Sequence, residues 1–306
     1  MQLPPFPSLV LPPTTTSSVK RIFLCRHGQT EPNALGVLQG SGIDEYLNDM
    51  GVQQAQHLRD RLGSIPVDLI VSSKLKRAYQ TAEIVKERHP DAAFLQVSEL
   101  AEISWGDWEG QVEPQLKSLL NAWMTGDFHS KAPNGESPSE VEARAVPAFY
   151  HLLLNRPEKT IVFVDTTTNH ASHLRVVHGR LLRIMLSSFL FHNLRYMNDF
   201  THHNTCINLI DAILETDPVA IGDKANVDMS KLKLQLNTSS RRTALDDNVA
   251  LSETPSVQIP PELSTAPLAS LESGSFPLVS NIAHPRNLTL VPLLLDDRSH
   301  LPPSLE

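Results

Sequence analysis

The chain contains few cysteines, with only two, Cys25 and Cys206, among 306 residues. So few thiols exclude a framework of several disulfides. Each cysteine lies in an apolar run that reads as a strand, so we expect two buried free thiols. A reducing compartment fits this usage, and the sequence therefore predicts a cytoplasmic or nuclear location.

Long apolar runs are also absent. The best candidate, Ile184 to Phe191, is far shorter than the roughly 20 residues that a membrane-spanning helix requires. The N-terminal stretch is rich in proline, serine and threonine and lacks a basic segment followed by a continuous apolar one, so we expect no signal peptide. The sequence therefore predicts no membrane partner.

Positive charge is scarce. The chain has 26 lysine and arginine residues against 34 aspartate and glutamate residues, which gives a formal net charge of −8. This balance offers no electrostatic reason to expect a nucleic-acid partner. If such a chain binds an anion, it must concentrate its arginines locally. The apolar content of 41% is sufficient for a packed core.

Composition divides the chain into four segments. We expect a disordered N-terminal tail over residues 1–18 and one folded domain over residues 19–236. Residues 237–286 are rich in serine, threonine and proline without periodicity, which indicates disorder. Residues 287–306 are predicted to form a C-terminal strand and tail.

Strands and helices alternate through the domain, which indicates an α/β fold with a parallel sheet. Short apolar runs predict the strands, and apolar residues at helical spacing predict the helices. The first helix has Asn48 as its N-cap and Gly63 as its end, and Ser72 or Ser73 is expected to cap the second. The predicted strands are 21–25, 67–71, 94–97 and 160–164, and later helices cover 113–124 and 137–154.

An arginine and a histidine, Arg26 and His27, lie side by side where the first strand ends at Gly28. Ligands of α/β proteins bind beyond the carboxyl ends of the strands. A histidine there can attack phosphorus, and an arginine can hold phosphate oxygens. Arg77 lies in the first turns of the helix after the second strand, so we expect its guanidinium near the same edge.

Five sequence blocks, in order, resemble the pattern of the histidine phosphatase superfamily, in its phosphoglycerate-mutase-like branch. The resemblance covers about Lys20 to Ile210. The blocks are Arg26-His27-Gly28-Gln29-Thr30-Glu31-Pro32-Asn33 with Gln39-Gly40, then Leu47 to Ala55, Ser72 to Ala82, Leu100-Ala101-Glu102 through Trp108-Glu109-Gly110, and Val177-His178-Gly179.

The resemblance implies a three-layer α/β sandwich with a mostly parallel central sheet flanked by helices. It also implies a set of catalytic residues, which are His27, Glu102, His178, Arg26 and Arg77. In this scheme His27 is the nucleophile, Glu102 is the proton donor and base, and the two arginines clamp the phosphoryl group. The substrate-binding residues that it implies are Arg26, Asn33, Gln39, Gly40, Arg77 and Gly179.

No cofactor and no metal are expected. The pairs His170 with His173 and His202 with His203 lack a supporting cysteine or carboxylate at ligand spacing, so we interpret them as surface histidines. The expected partner is a small phosphorylated substrate, and the sequence carries no prediction of oligomeric state.

The resemblance implies a phosphatase that hydrolyses small phosphate monoesters through a phosphohistidine. A mutase of the phosphoglycerate type is an alternative, since the same residues serve both reactions. The interval from Glu102 to His178 is shorter than in glycolytic mutases, which favours the phosphatase. A second alternative is an inactive phosphate-binding protein.

This last alternative follows from a departure from the family pattern before His178. The polar residues 165–176 separate the predicted strand 160–164 from Val177-His178-Gly179, which in the family follow the strand directly. The segment is either a loop or a translated intron, and we favour the intron because a central strand does not absorb a long interruption cheaply. A genuine loop would require residues 174–177 to serve as the strand end.

Overall fold

A six-stranded mixed sheet forms the centre of the computed structural model, which describes residues 3–12, 14–112, 116–165, 179–216 and 282–306. The strands are β1 (Ser17–Arg26), β2 (Leu69–Ser72), β3 (Ala93–Gln96), β4 (Thr160–Asp165), β5 (Ile207–Glu215) and β6 (Leu288–Asp297). The α-helices are α1 (Glu31–Leu35), α2 (Asp49–Leu62), α3 (Lys76–Lys86), α4 (Leu116–Met124), α5 (Pro138–Asn155) and α6 (Arg180–Phe191).

The spatial order of the strands is β3-β2-β4-β1-β5-β6. The first four in this order are parallel to one another, whereas β5 is antiparallel to β1, and β6 pairs antiparallel with β5 at the edge. The carboxyl ends of β1, β2 and β4 therefore meet at one edge of the sheet. This arrangement confirms the predicted α/β fold with a mostly parallel central sheet.

Helices cover both faces of the sheet because side chains alternate along its strands. In β1, Ile22 and Leu24 pack in the core that α4, α5 and α6 close. Phe23 and Cys25 point to the opposite face and pack with α2 and α3. Strands that are buried on both faces read as continuous apolar runs, which is why short apolar runs identified them. Both cysteines are buried and free, as predicted.

The boundaries of most elements follow the sequence signals. Asn48 is the N-cap of α2 and Gly63 its C-cap, as expected. The predicted cap of α3 is wrong, because Leu75 is its N-cap and the Ser73 hydroxyl accepts the Leu75 N–H at 3.3 Å. No helix in the described ranges is long and apolar enough to cross a membrane.

The N-terminal segment contacts the sheet where it is described. The ring of Phe6 lies 5.2 Å from that of Phe23, centre to centre, and the Val10 N–H donates to Asp211 at 2.8 Å. This packing differs from the disordered tail that the sequence predicts for residues 1–18, because Phe6 adds to the apolar layer on that face of the sheet.

Part of the predicted organisation lies outside the described residues. Of the segment expected to be disordered, 237–286, the structure describes only 282–286. The predicted C-terminal strand is β6, which pairs with β5. Of the segment 165–176, only Asp165 is described, and it is the last residue of β4, paired with Arg26 of β1.

Two glycines let the end of β1 contact the start of α2 through backbone atoms. A Cβ added at Gly28 would lie 2.2 Å from the Gly51 carbonyl oxygen, and one at Gly51 would lie 2.0 Å from the Gln29 carbonyl oxygen. Both contacts involve backbone, which cannot rotate away. The residues that follow β1 are therefore held against α2.

We expect the substitution Gly51→Ala to destabilise the protein by about 1–3 kcal/mol, because the added methyl group must push two backbone segments apart. Chemical denaturation followed by circular dichroism measures this change. Gly63→Ala is the matched control, since Gly63 has an ordinary helical φ of −60°. Equal stability of Gly51→Ala and the natural protein would contradict the close contact.

Candidate active site

Four buried polar side chains gather at the carboxyl edge of the sheet. Arg26 and His27 come from the end of β1, Arg77 from the first turn of α3, and Glu102 from the loop after β3. Each is at most 1% exposed. Burial lowers the pKa values of both arginines, and the charge of Glu102 offsets part of this lowering. The structure thus brings together four of the five residues predicted to be catalytic.

His27 is held in one orientation by its surroundings. Its ring Nδ1 hydrogen-bonds to the Gly28 carbonyl oxygen, so Nδ1 carries the proton and Nε2 carries the lone pair. Its backbone carbonyl accepts the Thr205 N–H at 3.3 Å and the Asn204 side-chain amide at 3.1 Å. A neutral imidazole with a directed lone pair is the form that a nucleophilic histidine requires.

The guanidinium of Arg26 is fully buried next to His27. Its Nη1 donates to the His202 carbonyl oxygen at 3.0 Å. Burial lowers the pKa of Arg26 to about 9, so the group remains a cation at neutral pH. A buried cation beside a histidine is suited to holding an anion.

Arg77 connects α3 to the loop that follows α1. Its Nη1 donates to the Ile43 carbonyl oxygen at 2.9 Å, and its Nη2 donates to the Gly40 carbonyl oxygen at 3.1 Å. Burial lowers the pKa of Arg77 to about 10, which leaves its charge intact at neutral pH. The side chain therefore fixes the loop while presenting positive charge to the site.

The predicted substrate-binding residues Asn33 and Gln39 are buried and bonded to each other. The Gln39 side-chain oxygen accepts from the Thr30 hydroxyl at 2.8 Å and from the Asn33 amide at 3.0 Å. The Gln39 amide donates to the Ile43 carbonyl oxygen at 3.1 Å. These bonds shape the same loop that Arg77 holds. Contact of Asn33, Gln39 and Gly40 with a substrate stays a prediction.

Glu102 lies between the arginines and the start of α6. Its Oε1 accepts the backbone N–H groups of Ile103 at 2.8 Å and Leu181 at 3.0 Å. Burial raises the pKa of Glu102 to about 7, although these two amides and Arg77 act in the opposite direction. A carboxyl group that titrates near neutrality can both give and take a proton.

Glu109 hydrogen-bonds to the loops around the site. Its Oε1 accepts the backbone N–H of Trp105 at 3.0 Å, the N–H of Gly42 at 3.2 Å and the Ser104 hydroxyl at 3.4 Å. A Cβ at Gly40 would lie 2.3 Å from the same oxygen, so a glycine is needed there. This bonding favours Glu102 over Glu109 as the acid.

The second predicted histidine, His178, lies outside the described residues. Gly179 is described and adopts a left-handed conformation with φ of 82° directly before α6. Glycine adopts this conformation without steric cost. The first turn of α6 then places the Leu181 amide on Glu102. The role of His178 stays a prediction.

Sequence reasoning missed the loop 202–206, whose role depends on tertiary contacts. This loop supplies the Arg26 acceptor and both donors to the His27 carbonyl. The interpretation of His202 as a surface histidine is wrong, since it is 4% exposed. The one sequence signal that could have indicated this loop is its position as a polar run directly before β5.

His202 also has a cysteine and a carboxylate close by, contrary to the sequence argument against a ligand set. Ligand atoms of His202, Cys206 and Asp296 lie within 4.8 Å of one another. The carboxylate, however, already accepts the His203 ring nitrogen at 2.7 Å. The positive charges of Arg183 and Arg26 lie beside His202, which disfavours a cation there.

Comparison with known proteins places this geometry in a family. A sequence model described as the histidine phosphatase superfamily (branch 1) matches residues 22–217. This match confirms the resemblance that the sequence blocks carry.

Individual relatives include both phosphatases and a mutase. A probable phosphatase of Schizosaccharomyces pombe is 39% identical over 102 residues, which cover 33% of this chain and 48%, or about half, of that protein. Glucosyl-3-phosphoglycerate phosphatase of Mycolicibacterium vanbaalenii is 31% identical, with 56% of this chain and 75% of that protein covered. A probable phosphoglycerate mutase, GpmB, of Proteus mirabilis is 32% identical, with coverage of 56% and 74%.

Solved structures are similar to the chain over the same region. The structure named mycobacterial hydrolase 1 is 26% identical with a TM-score of 0.53, and covers 64% of this chain and 93% of that one. The native structure of a mycobacterial glucosyl-3-phosphoglycerate phosphatase is 25% identical with a TM-score of 0.53, and covers 64% and 91%.

We expect inorganic phosphate to bind at this site and Arg77→Met to weaken binding by about 10- to 100-fold, as the loss of a charge-assisted hydrogen bond predicts. Isothermal titration calorimetry measures the dissociation constant. Arg59→Met is the control, because Arg59 pairs with Asp60 and Glu87 on the surface. Equal weakening in both variants would contradict an anion site at Arg77.

Proposed function

The chain belongs to branch 1 of the histidine phosphatase superfamily, and on this premise we propose that it is a phosphatase that hydrolyses small phosphate monoesters. The observation that carries the proposal is the juxtaposition of a tautomerically fixed histidine, two buried arginines and a carboxyl group that titrates near neutral pH. The two free cysteines support a cytoplasmic or nuclear location.

In the first step His27 takes the phosphoryl group. Its Nε2 attacks phosphorus, the bond between phosphorus and the ester oxygen breaks, and the departing oxygen receives the proton of Glu102. The products are a phosphohistidine and the free alcohol. Arg26 and Arg77 stabilise the charge on the non-bridging oxygens as the bonds change.

In the second step water releases the phosphate. The ionised Glu102 takes a proton from water, whose oxygen attacks phosphorus while the bond to His27 Nε2 breaks. Inorganic phosphate leaves, and both residues return to their starting forms. A pKa of about 7 suits Glu102 to both steps, because neither protonation state is strongly disfavoured at neutral pH.

Mutase chemistry uses the same groups, and one relative is named a probable phosphoglycerate mutase. The two activities differ in what attacks the phosphohistidine, which is water in a phosphatase and a phosphorylated alcohol in a mutase. Phosphate release without any added acceptor identifies the phosphatase. An inactive phosphate-binding protein would bind phosphate but release none from esters.

We expect a phosphohistidine to accumulate when the protein is mixed with ³²P-labelled p-nitrophenyl phosphate and quenched. The adduct should be stable to base and labile to acid, as a phosphoramidate is, and mass spectrometry should place it on His27. His27→Ala should form no adduct and release no phosphate. Turnover by His27→Ala at the natural rate would refute the proposal.

Glu102 should control how activity depends on pH. The fold raises its pKa to about 7, so the acid form needed in the first step persists up to about pH 7 and is lost above it. We expect kcat/KM for an alkyl phosphate to fall tenfold per pH unit above about 7. Glu102→Gln should remove this limb and lower kcat/KM by about 10²- to 10⁴-fold.

Two comparisons distinguish a proton donor from a structural carboxylate. p-Nitrophenolate leaves without protonation, so Glu102→Gln should lose much less activity on p-nitrophenyl phosphate than on the alkyl ester. Glu109→Gln should keep the pH limb, because Glu109 only accepts hydrogen bonds from the loops. Equal losses on the two substrates would remove Glu102 from the acid role.

A further inference from the structure

Arg180, the first residue of α6, carries a buried charge that the proposed reaction does not use. The residue is 1% exposed. Its Nη1 donates to the Asn198 side-chain oxygen at 2.8 Å. Its Nε and Nη2 are buried and have no hydrogen-bond partner in the described part of the chain. Burial, and next the like charge of Arg183, hold the pKa of Arg180 well below its ordinary value.

A structural role does not explain this arrangement fully. The guanidinium lies 5.1 Å from the ring centre of Trp123 on α4, a cation–π contact that compensates burial only in part. No carboxylate hydrogen-bonds to it among the described residues, and arginine does not escape the cost of burial by releasing its proton. A methionine or leucine would fill the same space without this cost. Arg180 therefore has two nitrogen donors that no described residue uses, and its positive charge has no hydrogen-bonded carboxylate among those residues.

The position of Arg180 puts this charge near Glu102. The next residue, Leu181, donates its N–H to Glu102, and the charge of Arg180 acts on the same carboxyl group. Glu102 is the group that protonates the departing ester oxygen in the proposed reaction. A group that the alcohol part of the substrate carries a few bonds beyond that oxygen would then approach Arg180.

We propose that Arg180 binds a second anionic group on the alcohol part of the substrate. The substrate class is then a phosphate monoester that also bears a carboxylate or a second phosphate. This inference rests on the proposed function. It adds that Arg180 determines which phosphate monoesters the protein prefers. The two unpartnered nitrogens, Nε and Nη2, would donate to the two oxygens of such a group, which is the paired geometry that guanidinium favours.

Matched substrate pairs test the proposal. For a carboxylate, 3-phosphoglycerate is compared with glycerol 3-phosphate, and for a second phosphate, propane-1,3-diol bisphosphate is compared with its monophosphate. We expect the natural protein to prefer the anionic member of one pair by at least tenfold in kcat/KM. The pair that shows the preference identifies the anion.

Variants assign the preference to Arg180. Arg180→Gln should reduce it about tenfold or more, mainly through a higher KM for the anionic substrate, and Arg180→Lys should retain part of it. The matched control is Arg195→Gln, an exposed arginine on the same short helix as Asn198, which should keep the full preference. If Arg180→Gln does not fold, Arg180→Lys and the preference of the natural protein still decide the question.

The outcomes separate this inference from the proposed function. Hydrolysis of p-nitrophenyl phosphate without a preference above threefold in either pair overturns the inference and leaves the phosphatase intact. An unchanged preference in Arg180→Gln does the same. If no ester is hydrolysed, the phosphatase fails, and calorimetric binding of the same pairs still tests Arg180, because equal affinities within a pair would overturn the anion site.

Discussion

One buried carboxyl group, Glu102, is the charge on which the whole site depends. It interacts electrostatically with four buried arginines, which are Arg26, Arg77, Arg180 and Arg183. A chain with a net charge of −8 thereby concentrates positive charge at a single edge of its sheet. Each guanidinium would be more costly to bury if this carboxylate were absent. Asp296 also acts on Arg26 and Arg183, and Asp165 acts on Arg77. In our proposal a phosphate ester adds further negative charge beside Glu102.

The negative charge of a bound ester would couple the protonation of Glu102 to substrate binding. A phosphate dianion that enters beside Glu102 brings like charge to the carboxyl group, which raises its pKa further and favours the neutral acid. The acid form is therefore most populated when an ester is bound, which is when the leaving oxygen needs a proton. Arg77 acts in the opposite sense, and so do the amides of Ile103 and Leu181. The balance keeps Glu102 near neutrality, so that the same group can become a base once the alcohol has left.

The sequence predicted those parts of the structure that local signals determine. Buried strands such as β1 are continuous apolar runs, and Arg26, His27, Arg77 and Glu102 lie in ordered blocks, so their convergence could be anticipated. The supports of these residues could not be predicted in the same way. The Thr205 N–H donates to the His27 carbonyl although the two residues lie far apart in the sequence. Nothing near Thr205 in the sequence indicates that contact. The predicted N-cap of α3 was wrong because two adjacent serines offered equal local signals, whereas the helix begins after Leu75 and the Ser73 hydroxyl accepts the Leu75 N–H.

The difference between local sequence signals and tertiary contacts also explains why the sequence did not single out Arg180. Directly after the last family block, an arginine at the start of a helix reads as an ordinary exposed charge. It becomes a candidate for specificity only through its burial against α4 and because two of its nitrogens have no partner among the described residues. The proposed catalytic groups must occupy fixed positions on β1, α3 and the loop after β3. The residue that binds the alcohol part of the substrate can differ between proteins without changing the chemistry. A buried arginine that reduces stability persists where its charge is used. In our proposal separate arginines around one shared carboxyl group thus hold the reacting phosphate and the rest of the substrate.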